Sequence, residues 1–333
     1  MLISELVKFV NFGVEIPIDT KYTATCHTKF LLKASSHYAY LENVKISGKT
    51  PDSDTVQAYI RATPIGKMHR SFLFGAERSA EKLEIKRGIV ILDFTYEPFY
   101  GNLNSNPKWI HKYKPKKGCA GCFLYLCASV LIGSRRIFLD SVTVPVACPS
   151  TGKLVEEMLE RLRAMGIKIE MLLLDRGFGR DSKVINVLEE RNLPYLGLLP
   201  KQRNVKEILK EMKGTFLSMD FEIKGVKTRL IAIRDEQYDW VFVANIRSRK
   251  IWRYIQIYKK RWNIENGFQV CDRANIDSKS VEETIRYFFF LFTLVLYNIW
   301  KSFKLPVPFK RLVILLAEGE HKFASLLGQS GIP

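Results

Sequence analysis

The chain has 333 residues, 47% of them hydrophobic, and carries 52 Lys and Arg against 34 Asp and Glu for a net charge of +18. This length and apolar share exclude a disordered or fibrous chain and provide for a substantial core. The basic surplus points to a polyanionic partner, and the six scattered cysteines argue against a disulfide framework.

The N-terminal stretch Met1-Leu2-Ile3-Ser4-Glu5-Leu6 lacks the basic n-region of a signal peptide, so a cytoplasmic protein with reduced thiols is expected. Residues 1–85 are mixed and mostly helical: Leu2 to Phe12 and Tyr38 to Val44 have helical patterning, and Ser53 or Asp54 is placed to cap a further helix. This region suits either a small DNA-binding module or a helical cap on the rest of the fold. From Arg87 the pattern sharpens. Strands are predicted over Arg87 to Phe94, Ala120 to Leu131 and Arg135 to Val144, the last two joined at Gly133-Ser134. A helix over Lys153 to Met165 precedes a buried strand, Ile167 to Leu174, whose apolar run is nearly continuous. A helix over Ser182 to Arg191 and a strand over Pro194 to Leu199 come next.

Residues of about 200–250 read as a mainly β insertion, with strands at Phe216 to Ile223, Thr228 to Arg234 and Trp240 to Ile246. A single helix is predicted over Arg253 to Cys271. The apolar stretch from Tyr287 to Trp300 is shorter than the ~20 residues a spanning helix needs, and Asn298 interrupts it; a buried helix against a sheet is expected, with no membrane partner. The whole is an α/β fold, a mixed sheet with helices on both faces. It divides into an N-terminal region (1–85), a catalytic domain (86–300) and a C-terminal tail (301–333).

Three acids stand out. Asp93 ends the apolar run Gly88-Ile89-Val90-Ile91-Leu92, and Asp175 ends Met171-Leu172-Leu173-Leu174. Both follow strands expected to be neighbours and parallel, and ligands gather at the carboxyl ends of such strands. Tyr258, Arg261 and Glu265 are spaced to share one helical face. Hard carboxylate oxygens suit Mg²⁺ or Mn²⁺, and two such ions stabilise both oxygens of an in-line phosphodiester displacement. Asp93, Asp175 and Glu265 are thus the expected metal ligands and catalytic residues. The loop Lys108-Trp109-Ile110-His111-Lys112-Tyr113-Lys114-Pro115-Lys116-Lys117 interleaves cations with aromatics, a composition that suits DNA; Lys112, Lys114, Lys116 and Lys117 are its candidate contacts. Cys119 and Cys122 have half a zinc-site spacing with no second pair at a familiar distance.

With Leu92-Asp93-Phe94-Thr95, Leu174-Asp175-Arg176-Gly177-Phe178 and Tyr258-x2-Arg261-x3-Glu265, the chain resembles the DDE insertion-sequence transposases, over roughly residues 86 to 300. The resemblance implies a ribonuclease-H-like catalytic domain with a β insertion before the last acid. It implies metal-dependent cleavage at the ends of a mobile element and transfer of the freed 3′-hydroxyl to target DNA by a homodimer or larger assembly. Tyr258 and Arg261 would then contact the DNA backbone. The family pattern has a lysine where this chain has Asp272; either the adjacent Arg273 replaces it or the chain does without that contact. The resemblance also implies an aromatic residue of the insertion that stacks an extruded base; Trp240 is the candidate here, although its β-layer position suits a core tryptophan better. Two alternatives are a nuclease on the same fold that cuts without joining, and a catalytically inactive DNA-binding derivative.

Overall fold

The computed structural model describes residues 2–46, 50–133, 135–148, 150–248, 250–303 and 307–319, and the backbone alone for residues 263–265. Four helices come first: α1 (Leu2–Gly13), α2 (Ala24–His37), α3 (Ser53–Ala62) and α4 (Ile65–Lys82). Three strands follow, β1 (Arg87–Phe99), β2 (Gly121–Ile132) and β3 (Arg135–Thr143), then α5 (Thr151–Ala164), β4 (Lys168–Leu174), the short α6 (Arg176–Gly179), α7 (Ser182–Glu190) and β5 (Tyr195–Leu198). After α8 (Arg203–Glu211) come β6 (Phe216–Ile223), β7 (Val226–Arg234) and β8 (Asp239–Ala244). The chain closes with α9 (Trp252–Lys259), α10 (Trp262–Cys271), α11 (Glu283–Ser302) and α12 (Phe309–Glu318).

The strands form one sheet in the order β3-β2-β1-β4-β5-β8-β7-β6. β1 runs antiparallel to β2 and parallel to β4, and β4 is parallel to β5. The mainly β segment after residue 200 is not a separate lobe: β8 pairs antiparallel with β5, and β7 and β6 extend the same sheet. The β6–β7 hairpin turns at Lys224 and Gly225, both with positive φ, as tight hairpins require.

Each face of the sheet has its own apolar layer. Alternation along β1 sends Val90 and Leu92 into one, with Val155, Leu159 and Leu162 of α5 and Val184 and Leu188 of α7. Ile91 faces the other, where Leu6 and Phe9 of α1, Phe72 of α4 and Phe288 and Phe292 of α11 gather. The N-terminal helices therefore share a core with the sheet and its late helices, through contacts such as the stacked rings of Phe9 and Phe288.

The N-terminal expectations hold in part. α1 stands where the pattern put it, and Asp52, one residue before the expected caps, accepts from the backbone N–H of Thr55. Tyr38 to Val44 is not a helix: Tyr38 ends α2 in the left-handed region, and only a 3-10 turn, Leu41–Asn43, comes after it. α2 was missed because it buries His27, Thr28, Ser35 and Ser36 beside its apolar residues, which blurs its apolar stripe.

Asn298 explains why α11 belongs inside a protein. It is buried, its side-chain amide donates to the Phe138 carbonyl at 2.7 Å, and its oxygen accepts from the Phe138 N–H at 2.8 Å. The outer backbone groups of the edge strand β3 are thereby paired with a helix side chain. Among the described residues, no helix is long and apolar enough to cross a membrane. Replacing Asn298 by Leu leaves both Phe138 backbone groups buried without partners, and the expected loss is about 2–4 kcal/mol. Urea unfolding measures this; a midpoint equal to that of the parent chain would show that Asn298 contributes no net stability.

Candidate active site

The register of the parallel pair fixes the site. Leu92 of β1 lies level with Leu174 of β4, so the next residues, Asp93 and Asp175, leave the pair side by side. Asp93 shares its strand face with Ile91, and Asp175 continues the face of Leu173; both neighbours belong to the layer beneath α9 and α11. Asp93 does not end its strand, as the sequence suggested. β1 runs on to Phe99 because β2 pairs with it along its whole length, Asp93 meeting Cys127.

Asp175 sits where β4 stops. It is the N-cap of α6, and its Oδ1 accepts from the Phe178 N–H at 2.9 Å. Phe178 in turn stacks on Phe94 at 4.7 Å between ring centroids, so the turn carrying one acid is clamped to the strand carrying the other. Gly179 lets α6 approach β5: a Cβ there would lie 2.3 Å from the Leu198 carbonyl oxygen.

Asp93 is only 8% exposed, and its Oδ2 meets Arg261 Nη1 at 3.0 Å. Arg261 comes from a break the sequence did not reveal. The single helix expected over Arg253 to Cys271 is two, α9 and α10, separated at Lys260-Arg261, where the Arg261 N–H bonds back to the Tyr258 carbonyl three residues earlier. The backbone stays near helical angles through this turn, so no glycine or proline marks it. Glu265 falls on the first turns of α10; its side chain lies outside the described residues.

Asp93, Asp175 and Arg261 open onto one cleft of about 750 Å³, lined also by Tyr238, Trp240 and Trp262 among others. Tyr258 and Trp240 form its wall. The Tyr258 ring is buried, 5.3 Å from Phe242, with the Arg261 guanidinium 5.6 Å above it. Burial pushes its phenol up to about 12, against the pull of Arg261, so it is neutral near pH 7. Trp240 is 9% exposed, lies parallel to Phe242 and donates its indole N–H to Asp235. Its ring is thus packed mostly among core aromatics while it lines the cleft. Trp262 is the aromatic residue that sequence reasoning passed over: it opens α10, lines the cleft and is 48% exposed.

The basic loop reaches the same region. Tyr113 packs on Tyr96 of β1 at 4.7 Å, and the Tyr96 phenol, pushed up to about 12 mainly by burial, also feels the charges of Tyr113, Asp175 and Asp93. Lys112, Lys114, Lys116 and Lys117 are exposed. Lys116 shares a second pocket of about 310 Å³ with Asp272, whereas Arg273, also exposed, acts electrostatically on Tyr38. After β8, Arg247 and Lys250 are exposed, and Arg249 lies outside the described residues. Cys119 and Cys122 are buried free thiols.

Further along β1, a buried ionic cluster was equally hidden in the sequence. Arg286 of α11 holds Glu97 at 2.7 Å and the carbonyls of Ser278 and Ser280, while the Tyr125 hydroxyl donates to the other Glu97 oxygen. Glu283, one turn before Arg286, accepts from the Thr143 hydroxyl. Burial raises the carboxyls of both Glu97 and Glu283, the latter well above 4.5.

Residues 84–299 match the family model described as Transposase DDE domain, which is well over half of the chain. The chain belongs to the DDE transposase family. Membership carries with it the ribonuclease-H-like α/β fold, DNA as the substrate class and a general use of divalent metal ions. No relative among curated proteins matches the chain. Among the described residues, no three His, Cys, Asp or Glu side chains gather at one point. The two that come side by side, Asp93 and Asp175, are hard oxygen donors of the kind Mg²⁺ takes.

A raised carboxyl favours the folded state while it is protonated, so the Glu283 contribution is complete below its ordinary value of 4.5 and is lost as pH rises toward its folded value. Glu283→Gln should therefore unfold at higher urea than the parent chain near pH 8, and the two curves should converge at about pH 4. A variant weaker at both pH values would mean that the carboxylate itself is needed.

Proposed function

We propose that this transposase cuts DNA at the ends of a mobile element and joins the freed 3′-hydroxyl to target DNA. The observation that carries the reading is the pair Asp93 and Asp175, level on adjacent parallel strands and facing one open cleft. Asp93 and Asp175, with Glu265 from α10, would hold the divalent ions. When bound, Mg²⁺ supplies a polarising charge for the phosphate oxygens and an activated water or hydroxyl.

The chain's own residues do the rest. The Arg261 guanidinium compensates the buried Asp93 charge and orients that carboxylate. Clamping of the Asp175 turn by Phe178 on Phe94 sets the second carboxylate before any ligand arrives. The exposed face of Trp262 offers a surface on which a base beside the cut can stack. Lys112, Lys114 and Lys117 extend the positive field toward the substrate, and Lys116, beside Asp272, stands nearer than Arg273 to the role of the family lysine. Activity in an assembly of two or more copies fits the need to hold two element ends at once.

The test is a strand-transfer assay with pre-cleaved element ends and Mg²⁺. Joined product is expected from the parent chain, and Asp175→Asn should lower it by at least about 100-fold, because even a partner one shell out from a metal is worth 10–100-fold. Hydrolysis with no joined product would assign the chain to the nuclease alternative. Undiminished activity of the Asp175→Asn chain would remove this residue from the chemistry.

Arg261→Ala should impair cleavage by more than about tenfold while DNA affinity changes within about threefold, since the guanidinium is spent on Asp93 and not on an exposed phosphate contact. Single-turnover cleavage and a binding titration separate the two effects. A large loss of affinity with normal cleavage would place Arg261 on the DNA instead.

A further inference from the structure

Another groove, of about 630 Å³, opens at Gly177, two residues after Asp175. α5, α7 and α8 all begin at its wall: Ser150 and Asp181, the N-caps of the first two, and Gln202, which precedes the third, line it. The amino ends of α5 and α7 come this close because α5 carries Gly152 where a Cβ would lie 2.6 Å from the Lys183 carbonyl oxygen.

Three cations enter the groove from three segments: Arg180 after α6, Lys183 in α7 and Lys224 at the β6–β7 turn. All three are exposed, and among the described residues none of their side chains forms an ion pair or hydrogen bond. The acids in the same groove are engaged by backbone: Asp181 accepts from the Lys183 N–H and Glu222 from the Gly225 N–H. The three cations outnumber the two carboxylates of the lining, so the groove stays net positive, and the partial positive charge of three helix starts adds to that field. A polyanion complements it. At about 630 Å³ the groove has room for more than one phosphate, and it begins two residues from Asp175.

We infer that this groove binds the sugar–phosphate backbone of duplex DNA flanking the bond to be cut, with Arg180, Lys183 and Lys224 contacting successive phosphates. The inference rests on the transposase reading for the position of the cut but not for the binding itself. The contacts are to backbone, so they position the duplex and read no sequence.

Cys148 is a half-buried thiol in the groove wall, and Cys26 is a half-buried thiol outside it. The full chain is treated with N-ethylmaleimide in EDTA, with and without a saturating mixed-sequence duplex of about 30 base pairs, a probe sufficient for backbone contacts. Modification at each cysteine is read by mass spectrometry. The duplex should slow Cys148 at least several-fold and leave Cys26 unchanged. In parallel, the triple variant Arg180→Gln, Lys183→Gln, Lys224→Asn should bind the duplex with a salt slope reduced by about 2–3, at about 0.9 per lost phosphate contact. Asn is chosen at Lys224 because it tolerates the left-handed backbone there. The thermal midpoint should not move, since all three side chains are exposed. An unchanged salt slope, or Cys148 labelling indifferent to duplex, overturns the inference. Equal protection of Cys148 by millimolar inorganic phosphate also overturns it, in favour of a small-anion site. Because these measurements need no metal and no cleavage, a chain that binds here yet never cuts DNA would sink the proposed chemistry and leave the groove assignment intact.

Discussion

The parallel pairing of β1 with β4 is the constraint on which the site depends. A strand face repeats every two residues, so a slip of one residue would turn either Asp93 or Asp175 to the opposite layer. Burial on both faces makes that slip costly. Leu92 and Leu174 belong to one apolar layer and Ile91 and Leu173 to the other, so any shift would bring polar groups into both. The register that fills the core is also the register that brings two carboxylates level.

Around that pair, neighbouring elements do distinct tasks. On one face, α5 and α7 seal the sheet, and Phe178 locks the turn that carries Asp175. On the other, α11 and the N-terminal helices cover the sheet, and the broken α9–α10 segment carries Arg261 down to Asp93. The β6–β8 extension widens the sheet and, through Trp240 and Phe242, backs the buried ring of Tyr258. Cleft and core are therefore one structure: the wall of the site is the end of the apolar layer.

Much of this was legible in the chain. Strands with continuous apolar runs, such as Leu172-Leu173-Leu174, declare themselves because both their faces are buried, and most predicted strand limits fall within a few residues of those observed. α2 was hidden because its buried polar residues imitate a surface. The α9–α10 break was hidden because Lys260 and Arg261 keep helical backbone angles and carry no breaking residue. Trp240 and Trp262 could not be told apart by sequence, since a tryptophan suits both a core and a binding surface.

The sequence by itself determined the charge, the alternation of strands and helices and the chemical identity of the candidate ligands, because these arise from local pattern and composition. Only the tertiary structure decided which rings line the cleft and how exposed each is, that Arg261 is held by Asp93, that Glu97 and Glu283 share a buried ionic cluster with Arg286, and that three cations from three segments meet in a groove two residues from Asp175. Each of these brings together residues far apart in the chain, and their energies arise from burial and charge proximity, which exist only once the sheet has closed against its helices.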